Sequence, residues 1–546
     1  MMRSAVSLKS ISFAYNTGRH MKKKNSAYRA AAGLSAVAGI VLPTACAAKA
    51  KDETLTRYNI LIIESDDHTS QMISAYGGEI ETPNIDRLAE EDGVRFDNAF
   101  VVNSISGPSR ACLLTGKHSH KNGFTNNEHS VFDGDQQTFP KLLQAAGYQT
   151  AIIGKWHLHA LPQGFDHWEI LPGQGDYYNP AFITAPNDTV KEKGYVTDLI
   201  TDKSLDLLRG RDKSRPFMLM VQHKAPHRNW MPRIEDLDLY EDVTFKLPEN
   251  FADDYTGRPA AARAEMNIGE HMDPAYDCKL LRDDHPTHYS QTYKWILSGM
   301  DEEDRAKFLA YYRPMADHYW DSTMTDRERM EYKYQRYMRD YAKVIHPIDE
   351  GVGRIIDYLK EEGLWDTTIV LYLGDQGFYM GEHGWFDKRF MYEESMHYPL
   401  LMHLPKGLDA RGAIEELTQN IDLAPTFLEL AGVAIPEDIQ GESLVPLLKG
   451  AKELPGRDKI YYHFYEYPAE HSVMRHYGVR DERYKLIHFY LDRDFWELYD
   501  LQEDPHEMKN VYDDPTYSEI VDRMRRELVE AQTEYEDTLA LRLNGF

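Results

Sequence analysis

Four places in the 546-residue chain set side chains capable of acid–base or metal chemistry directly behind short apolar runs. Asp66-Asp67 follows the run at 58–63, and Asp375-Gln376 follows the one at 368–373. Gly154-Lys155-Trp156-His157 follows a run ending at Ile153, and His223-Lys224-Ala225-Pro226-His227 one ending at Val221. Lys388 comes shortly after Asp375, in Phe386-Asp387-Lys388-Arg389. Three carboxylates and an amide oxygen without a thiolate suit a hard cation, Ca²⁺ or Mg²⁺, better than zinc. Singly, an Asp-Asp behind a strand is more often a helix cap or turn, and a lone histidine is more often structural. It is their convergence on several strand ends that points to a site.

A further segment, Ser106-Gly107-Pro108-Ser109-Arg110-Ala111-Cys112-Leu113-Leu114-Thr115-Gly116, holds a hydroxyl by Gly and Pro where a helix begins. Unpaired N–H groups make such a terminus favourable to anions, and Arg110, one turn in, can reach back toward residue 106. Without the other motifs this would be an ordinary Ser/Pro helix start.

The elements that must position these groups follow from the pattern of apolar residues. Strands are expected at 58–63, 95–101, 148–153, 217–221 and 368–373, and helices at 85–91, 138–146 and 330–359, the last interrupted at Pro347. Such alternation predicts a layered α/β domain with a mostly parallel sheet, whose ligands collect at the carboxyl ends of the strands. The stretch 236–326 is charged, Tyr-rich and without clear period, and reads as an insertion near the cleft mouth. Helices are expected at 422–431 and 441–448. Beyond about 455 the pattern changes to β-runs at 461–465, 474–480 and 484–489 and a last helix at 518–537, a smaller α+β domain. The resulting division is a leader at 1–46, a catalytic domain at 55–455 and a C-terminal subdomain at 456–546.

Charge narrows the function. With 89 acidic against 62 basic residues the net charge is −27, a poor general binder of nucleic acid or anionic membrane. An anionic substrate would need cations concentrated in the cleft. The start of the chain reads as a signal segment: Met21-Lys22-Lys23-Lys24 and Arg29, an apolar Ala-rich stretch to Leu42, then Pro43-Thr44-Ala45-Cys46. It predicts export to the periplasm of a Gram-negative bacterium, or attachment to its outer membrane through a lipid on Cys46. Only Cys112 and Cys278 remain beyond it, too few for a disulfide framework, so stability must come from core burial.

Together these segments resemble the formylglycine-dependent sulfatases of the serine type. Ser106 to Gly116 matches that family's signature, and Thr82-Pro83-Asn84-Ile85-Asp86-Arg87-Leu88 and Asp422-Leu423-Ala424-Pro425-Thr426 extend the match. The resemblance implies an α/β, alkaline-phosphatase-like fold: a large mixed, mostly parallel sheet sandwiched by helices, with a smaller C-terminal α+β domain on a short antiparallel sheet. It implies one Ca²⁺ held by Asp66, Asp67, Asp375, Gln376 and residue 106, and oxidation of Ser106 to formylglycine by a radical-type maturase. Hydrated, that aldehyde offers one hydroxyl to sulfur and a second that later expels the sulfate. Lys155 and Lys388 would neutralise the sulfate, Arg110 would orient the nucleophile, His227 would be the general acid and His157 the base. Gln376 departs from the Asn or His often found there, and Gly374 from Ser or Thr; neither removes an oxygen ligand. His223 competes with His227 for the acid role.

The C-terminal part is similar to N-acetylglucosamine-6-sulfatases in Tyr465-Glu466-Tyr467-Pro468, His476-Tyr477-Gly478-Val479-Arg480, Arg483-Tyr484-Lys485-Leu486-Ile487 and Glu497-Leu498-Tyr499-Asp500-Leu501. The implied substrate is a sulfated glycan, mucin or heparan-type, carrying a 6-O-sulfate. Candidate sugar contacts are His223, Asp387, Arg389, His471 and His476. Two alternatives stay open. A phosphoryl hydrolase using unmodified Ser106 would hold two transition metals with several histidine ligands, and a non-catalytic glycan-binding lipoprotein would keep the fold without the aldehyde.

Overall fold

The computed structural model describes residues 57–545, which fall in one compact unit; the expectations for the leader and Cys46 lie outside the described residues. In chain order the first eight strands are β1 (Asn59–Ser65), β2 (Gly93–Phe96), β3 (Ala99–Phe100), β4 (Gln149–Lys155), β5 (His167–Leu171), β6 (Ala181–Ala185), β7 (Asp188–Lys191) and β8 (Phe217–His223). Then come β9 (Thr368–Gly374), β10 (Leu400–His403), β11 (Gly412–Ile414), β12 (Thr418–Gln419), β13 (Ile460–Phe464), β14 (His476–Arg480), β15 (Tyr484–Phe489) and β16 (Phe495–Asp500). Ten of them form one sheet in the order β11-β2-β10-β9-β1-β8-β4-β5-β6-β7. At its centre β9, β1, β8 and β4 run parallel, with Ser65 beside both Gly374 and His223 and Gly154 beside Gln222. These strands are near-continuous apolar runs because both faces are covered. Ile60, Ile62, Met218 and Ile369 pack into one core with the helix Leu423–Leu430. Leu61, Ile63, Leu219 and Val370 pack into the other with the helices Val196–Gly210 and Asp326–Glu361.

Strands β13 to β16 make a separate antiparallel sheet in sequence order. One face, with Val479, Leu486 and Leu498, buries Met524 and Leu528 of the helix Ser518–Glu534. The other face, with Tyr462, Ile487 and Tyr499, joins the main core.

Several elements differ from expectation for identifiable reasons. The helix Asp326–Glu361 runs unbroken through Pro347. Proline costs a helix about 3 kcal/mol, but Ile345, Ile348, Val352 and Ile355 around it are fully buried, and each such burial contributes about 2 kcal/mol. The run at 95–101 is two short strands, β2 and β3, in different sheets. The stretch 236–326 contains the helices Ser290–Leu297 and Glu302–Asp321. In the second of these the inward stripe, Phe308, Tyr312, Ala316 and Tyr319, is half tyrosine and set among charges, so its period is faint. Only Val445–Leu448 of 441–448 is helical, and the last helix stops at Glu534, followed by the short helix Thr538–Leu543.

Two tests follow from the packing. Gly154 has φ +109°, and a Cβ there would lie 2.0 Å from the Gln222 carbonyl oxygen on β8. Gly154→Ala should therefore cost about 2–5 kcal/mol, strain and overlap combined, read as a lowered thermal midpoint. Where the two sheets meet, burial pushes the Glu497 carboxyl up to about 7, even though it accepts hydrogen bonds from the hydroxyls of Tyr392 (2.9 Å) and Tyr499 (2.8 Å). The folded state thus holds a proton that the unfolded chain releases near 4.5, and the associated stability is lost as pH rises through about 7. Glu497→Gln should gain thermal stability relative to the parent between pH 5 and pH 8; a difference that does not change over that range would contradict the shift.

Candidate active site

The central parallel strands deliver their polar residues to one edge of the sheet. Asp66 and Asp67 follow β1, Asp375 follows β9, Lys155 ends β4, and the segment to His227 follows β8. Asp67 turns the chain at φ 65°, and its N–H donates to Asp375 Oδ1 at 2.9 Å, so the two acidic turns brace each other. The helix Ser106–Thr115 points its N-terminus into this edge and is buried along its whole length. Ser106, 2% exposed, places Oγ 2.9 Å from Asp66 Oδ1. Gly107 has no side chain to spare: a Cβ would lie 2.4 Å from Asn127 Oδ1.

Around the serine the charges interlock. The Lys155 ammonium bonds Asp66 and donates to Gln174 Oε1 at 2.6 Å. Lys388 Nζ donates to both oxygens of Asp67, at 2.7 and 2.8 Å. Arg110 donates from Nε and Nη2 to Asp375 Oδ2 at 3.1 and 3.0 Å, bonds Gln222, and lies 3.6 Å from Glu64 Oε2. Arg110 thus acts on Asp375 directly, a firmer tie than any it makes to residue 106. Burial alone would raise the Asp66 carboxyl, but Lys155 and the other cations hold it well below the usual range. Asp375 goes the other way: burial and the Asp66 charge push it well up, against Arg110. Burial would lower the Lys388 ammonium, yet Asp67 and Asp66 raise it.

Four buried carboxylates, Glu64, Asp66, Asp67 and Asp375, therefore meet three cations, Arg110, Lys155 and Lys388. Carboxylates crowded in a low effective dielectric repel one another, as the upward push on Asp375 shows, and a divalent cation would relieve that repulsion. Gln376 fits the same reading. Its amide nitrogen bonds Asp67, while Oε1, fully buried, has no hydrogen-bond partner. Potential ligand atoms of Asp66, Asp67 and His227 lie within 4.8 Å of one another. An oxygen-rich donor set of this kind suits a hard ion.

His227 Nε2 stands 3.8 Å from Asp67 Oδ2, and Nδ1 is engaged by the Arg228 carbonyl at 2.6 Å, which fixes the ring so that Nε2 faces the site. Burial holds its pKa well below the ordinary value. His157, at φ 56° and 8% exposed, has Nδ1 unpaired and is likewise pushed down by burial and then by Lys155. Above Ser106 opens a cavity of about 310 Å³, with His227, Arg228, Asp387, Lys388 and Arg389 in its wall. Asp387 and Arg389 pair with each other. His471 sits behind them, Nδ1 on the Glu265 carbonyl at 2.8 Å and Nε2 3.3 Å from Asp387 Oδ2 without a hydrogen bond to it, and it does not itself line the cavity.

Two further expected sugar contacts do not reach the cavity. His476 is fully buried among Tyr462, Phe464, Phe390 and Phe489, with Nε2 accepting from the Met391 N–H at 3.0 Å and Nδ1 on the Met474 carbonyl at 2.7 Å. His223 is also fully buried, its side chain without a polar partner, and burial pushes it down to about 3. Conversely, sequence reasoning passed over Glu64, Gln222 and Gln174, the partners of Arg110 and Lys155, and over Arg228, Tyr276, Tyr289 and Glu470 in the cavity wall. Glu64 was discoverable, because a carboxylate inside the apolar run 59–65 needs a buried cation. The wall residues left no comparable signal.

Arg110→Ala would leave Asp375 and Glu64 buried without their cation. It should cost about 3–5 kcal/mol of stability and abolish turnover, checked by thermal unfolding and an activity assay on the same sample. Retained stability would show that Arg110 is not the partner that holds Asp375.

Comparison with known proteins agrees with this geometry. The family model described as sulfatase matches residues 58–433, and that described as N-sulphoglucosamine sulphohydrolase, C-terminal, matches 381–534. The N-acetylglucosamine-6-O-sulfatase of Bacteroides thetaiotaomicron is 49% identical over 500 residues, 90% of this chain and 89% of that one. An arylsulfatase of Clostridium perfringens is 26% identical over 516 residues, 86% of this chain and 93% of that one. A protein solved in complex with its substrate D-glucosamine-2-N,6-O-disulfate is 48% identical and superposes with a TM-score of 0.85 over 88% of this chain and 99% of its own. With the sulfatase model matched over more than half its length and a relative 49% identical over 90% of it, the chain belongs to the sulfatase family.

Proposed function

We propose that the protein removes the 6-O-sulfate from N-acetylglucosamine or N-sulfated glucosamine in a mucin or heparan-type glycan. The observation that carries this reading is the contact of Ser106 with Asp66 at the floor of a cavity whose wall brings Lys388 and His227 together. The position of the sulfate is supported by the names of two relatives, the N-acetylglucosamine-6-O-sulfatase and the protein holding the 2-N,6-O-disulfate.

Asp66, Asp67, Asp375 and Gln376 would hold one Ca²⁺ together with residue 106, and the ion would supply positive charge against the sulfate oxygens. A formylglycine made from Ser106 would supply, once hydrated, an attacking hydroxyl and a second one able to expel the sulfate. Lys155 and Lys388 flank the serine with ammonium groups fixed by Asp66 and Asp67, so they can neutralise an anionic ester without reorganising. His227 presents Nε2 toward the site; with the Nδ1 hydrogen held by the Arg228 carbonyl, it would take up a second proton on Nε2, favoured by the bound anionic ester, and give that proton to the leaving alcohol. His157 is the group for proton removal when sulfate leaves. Arg110 keeps Asp375 in place, and Asp387 and Arg389 meet the sugar from the opposite wall. The basic and apolar stretch before Cys46 supports export and lipid attachment, with a radical-type maturase acting on Ser106 beforehand.

Sulfate release from 2-, 3-, 4- and 6-O-sulfated monosaccharides should be confined to the 6-O ester, and release from another position alone would sink the assignment. Mass spectrometry of the peptide around residue 106, from protein made with a serine-type maturase, should show the loss of two hydrogens. Full turnover by protein with an unmodified serine would refute the role given to the aldehyde.

A further inference from the structure

The helix Ser290–Leu297 separates two cavities. Tyr289 and Thr292 line the one above Ser106. Trp295 lines a second, of about 210 Å³, with Asp176, Tyr178, Lys191, Met231 and Met300. Residues three apart on a helix project from neighbouring positions, about 5 Å along the axis, so Thr292 and Trp295 share a face. The loop after β5 divides the same two spaces: Gln174 faces the first, and Asp176 and Tyr177 the second. Tyr177 ties the second cavity to the first, because its hydroxyl donates to the His227 carbonyl at 2.6 Å and its ring carries the Lys224 ammonium 4.8 Å above it.

Trp295 is 70% exposed, more than any other large apolar side chain among the described residues. A single exposed apolar side chain is ordinary, but an indole that both lines a cavity and stands open to water offers a ring face for a ligand to cover. The chemistry of its surroundings is mixed. Trp295, Met231 and Met300 offer an apolar floor, Asp176 an acceptor for hydroxyls and Lys191 a positive charge. A sugar ring has an apolar face and a hydroxyl edge, and a sulfated or carboxylated one adds an anion. On a chain of net charge −27, such an anionic polymer is held only where positive charge has been placed for it.

We propose that this second cavity is a subsite for a sugar adjoining the one whose sulfate is removed, its ring stacked on Trp295 and its anionic group near Lys191. This rests on the glycan 6-O-sulfatase reading. It makes the occupant a sulfated oligosaccharide continuing out of the first cavity past Thr292, and it makes affinity depend on chain length.

The test compares 6-O-sulfated N-acetylglucosamine with a heparan-type tetrasaccharide ending in a 6-O-sulfated glucosamine, using mature enzyme, Trp295→Ala and Lys191→Gln. Wild type should show the lower KM on the tetrasaccharide. Trp295→Ala should raise that KM about five- to thirtyfold, the loss expected of one stacked aromatic anchor, with the monosaccharide kinetics and thermal midpoint unchanged. Lys191→Gln should give a smaller rise that shrinks as salt is added. If both substrates are turned over and Trp295→Ala matches wild type on each, or slows both equally, the subsite is overturned and the sulfatase reading stands. If mature wild type turns over neither, the substrate reading itself fails, and the subsite with it.

Discussion

Everything in this molecule is arranged around carboxylates that ought to repel one another. Asp66, Asp67 and Asp375 leave adjacent strands of one parallel sheet at the same edge, each essentially without contact with water. Charges this close are tolerable in a dry interior only if cations are fixed among them and every remaining lone pair is used. Lys155 and Lys388 come from separate segments to meet that demand, and Arg110 comes from the helix that carries the nucleophile position. The same electrostatic pressure that makes the site expensive to fold makes it ready to accept a metal ion and an anionic ester.

The supports of the site extend well beyond the sheet that presents it. Lys388 sits in a segment pinned on both sides. Before it, His383 is bonded to Asp253; after it, the Met391 N–H is held by His476, and Glu393 by Arg480 and Lys485 of the antiparallel sheet. His476 therefore matters without touching substrate: it fixes the backbone that aims the lysine.

What the sequence disclosed, and what it withheld, follows from the range of the interactions involved. The strand-end motifs were legible because each is a local event, an apolar run stopping at residues that have no reason to be buried unless they meet a partner. The acidic pairs and Lys155 were found this way, Ser106 and Arg110 from a helix start and a family resemblance, and Lys388 from its nearness to Asp375; the structure brings them together. Pro347 misled because local propensity argued for a break while distant burial of Ile345 and Ile348 decided otherwise. The helix Glu302–Asp321 was missed because tyrosines, ambiguous between core and surface, carry its inward stripe. His476 and His223 were assigned to the sugar because nothing in a linear string separates a histidine that packs from one that binds. Arg228, Tyr276 and Tyr289 meet only in three dimensions.

The bracing of residues 383–393 against the C-terminal sheet has an evolutionary corollary. A region reading as an appendage by its strand pattern is in fact the jig for Lys388 at the buried carboxylates, so it cannot be exchanged for a relative's version as a module. Drift on that sheet would be felt at the reaction centre some way off. New specificities in such a scaffold are easier to reach by altering the rim at Trp295, whose side chain lies mostly in water, than by remodelling the sheet itself.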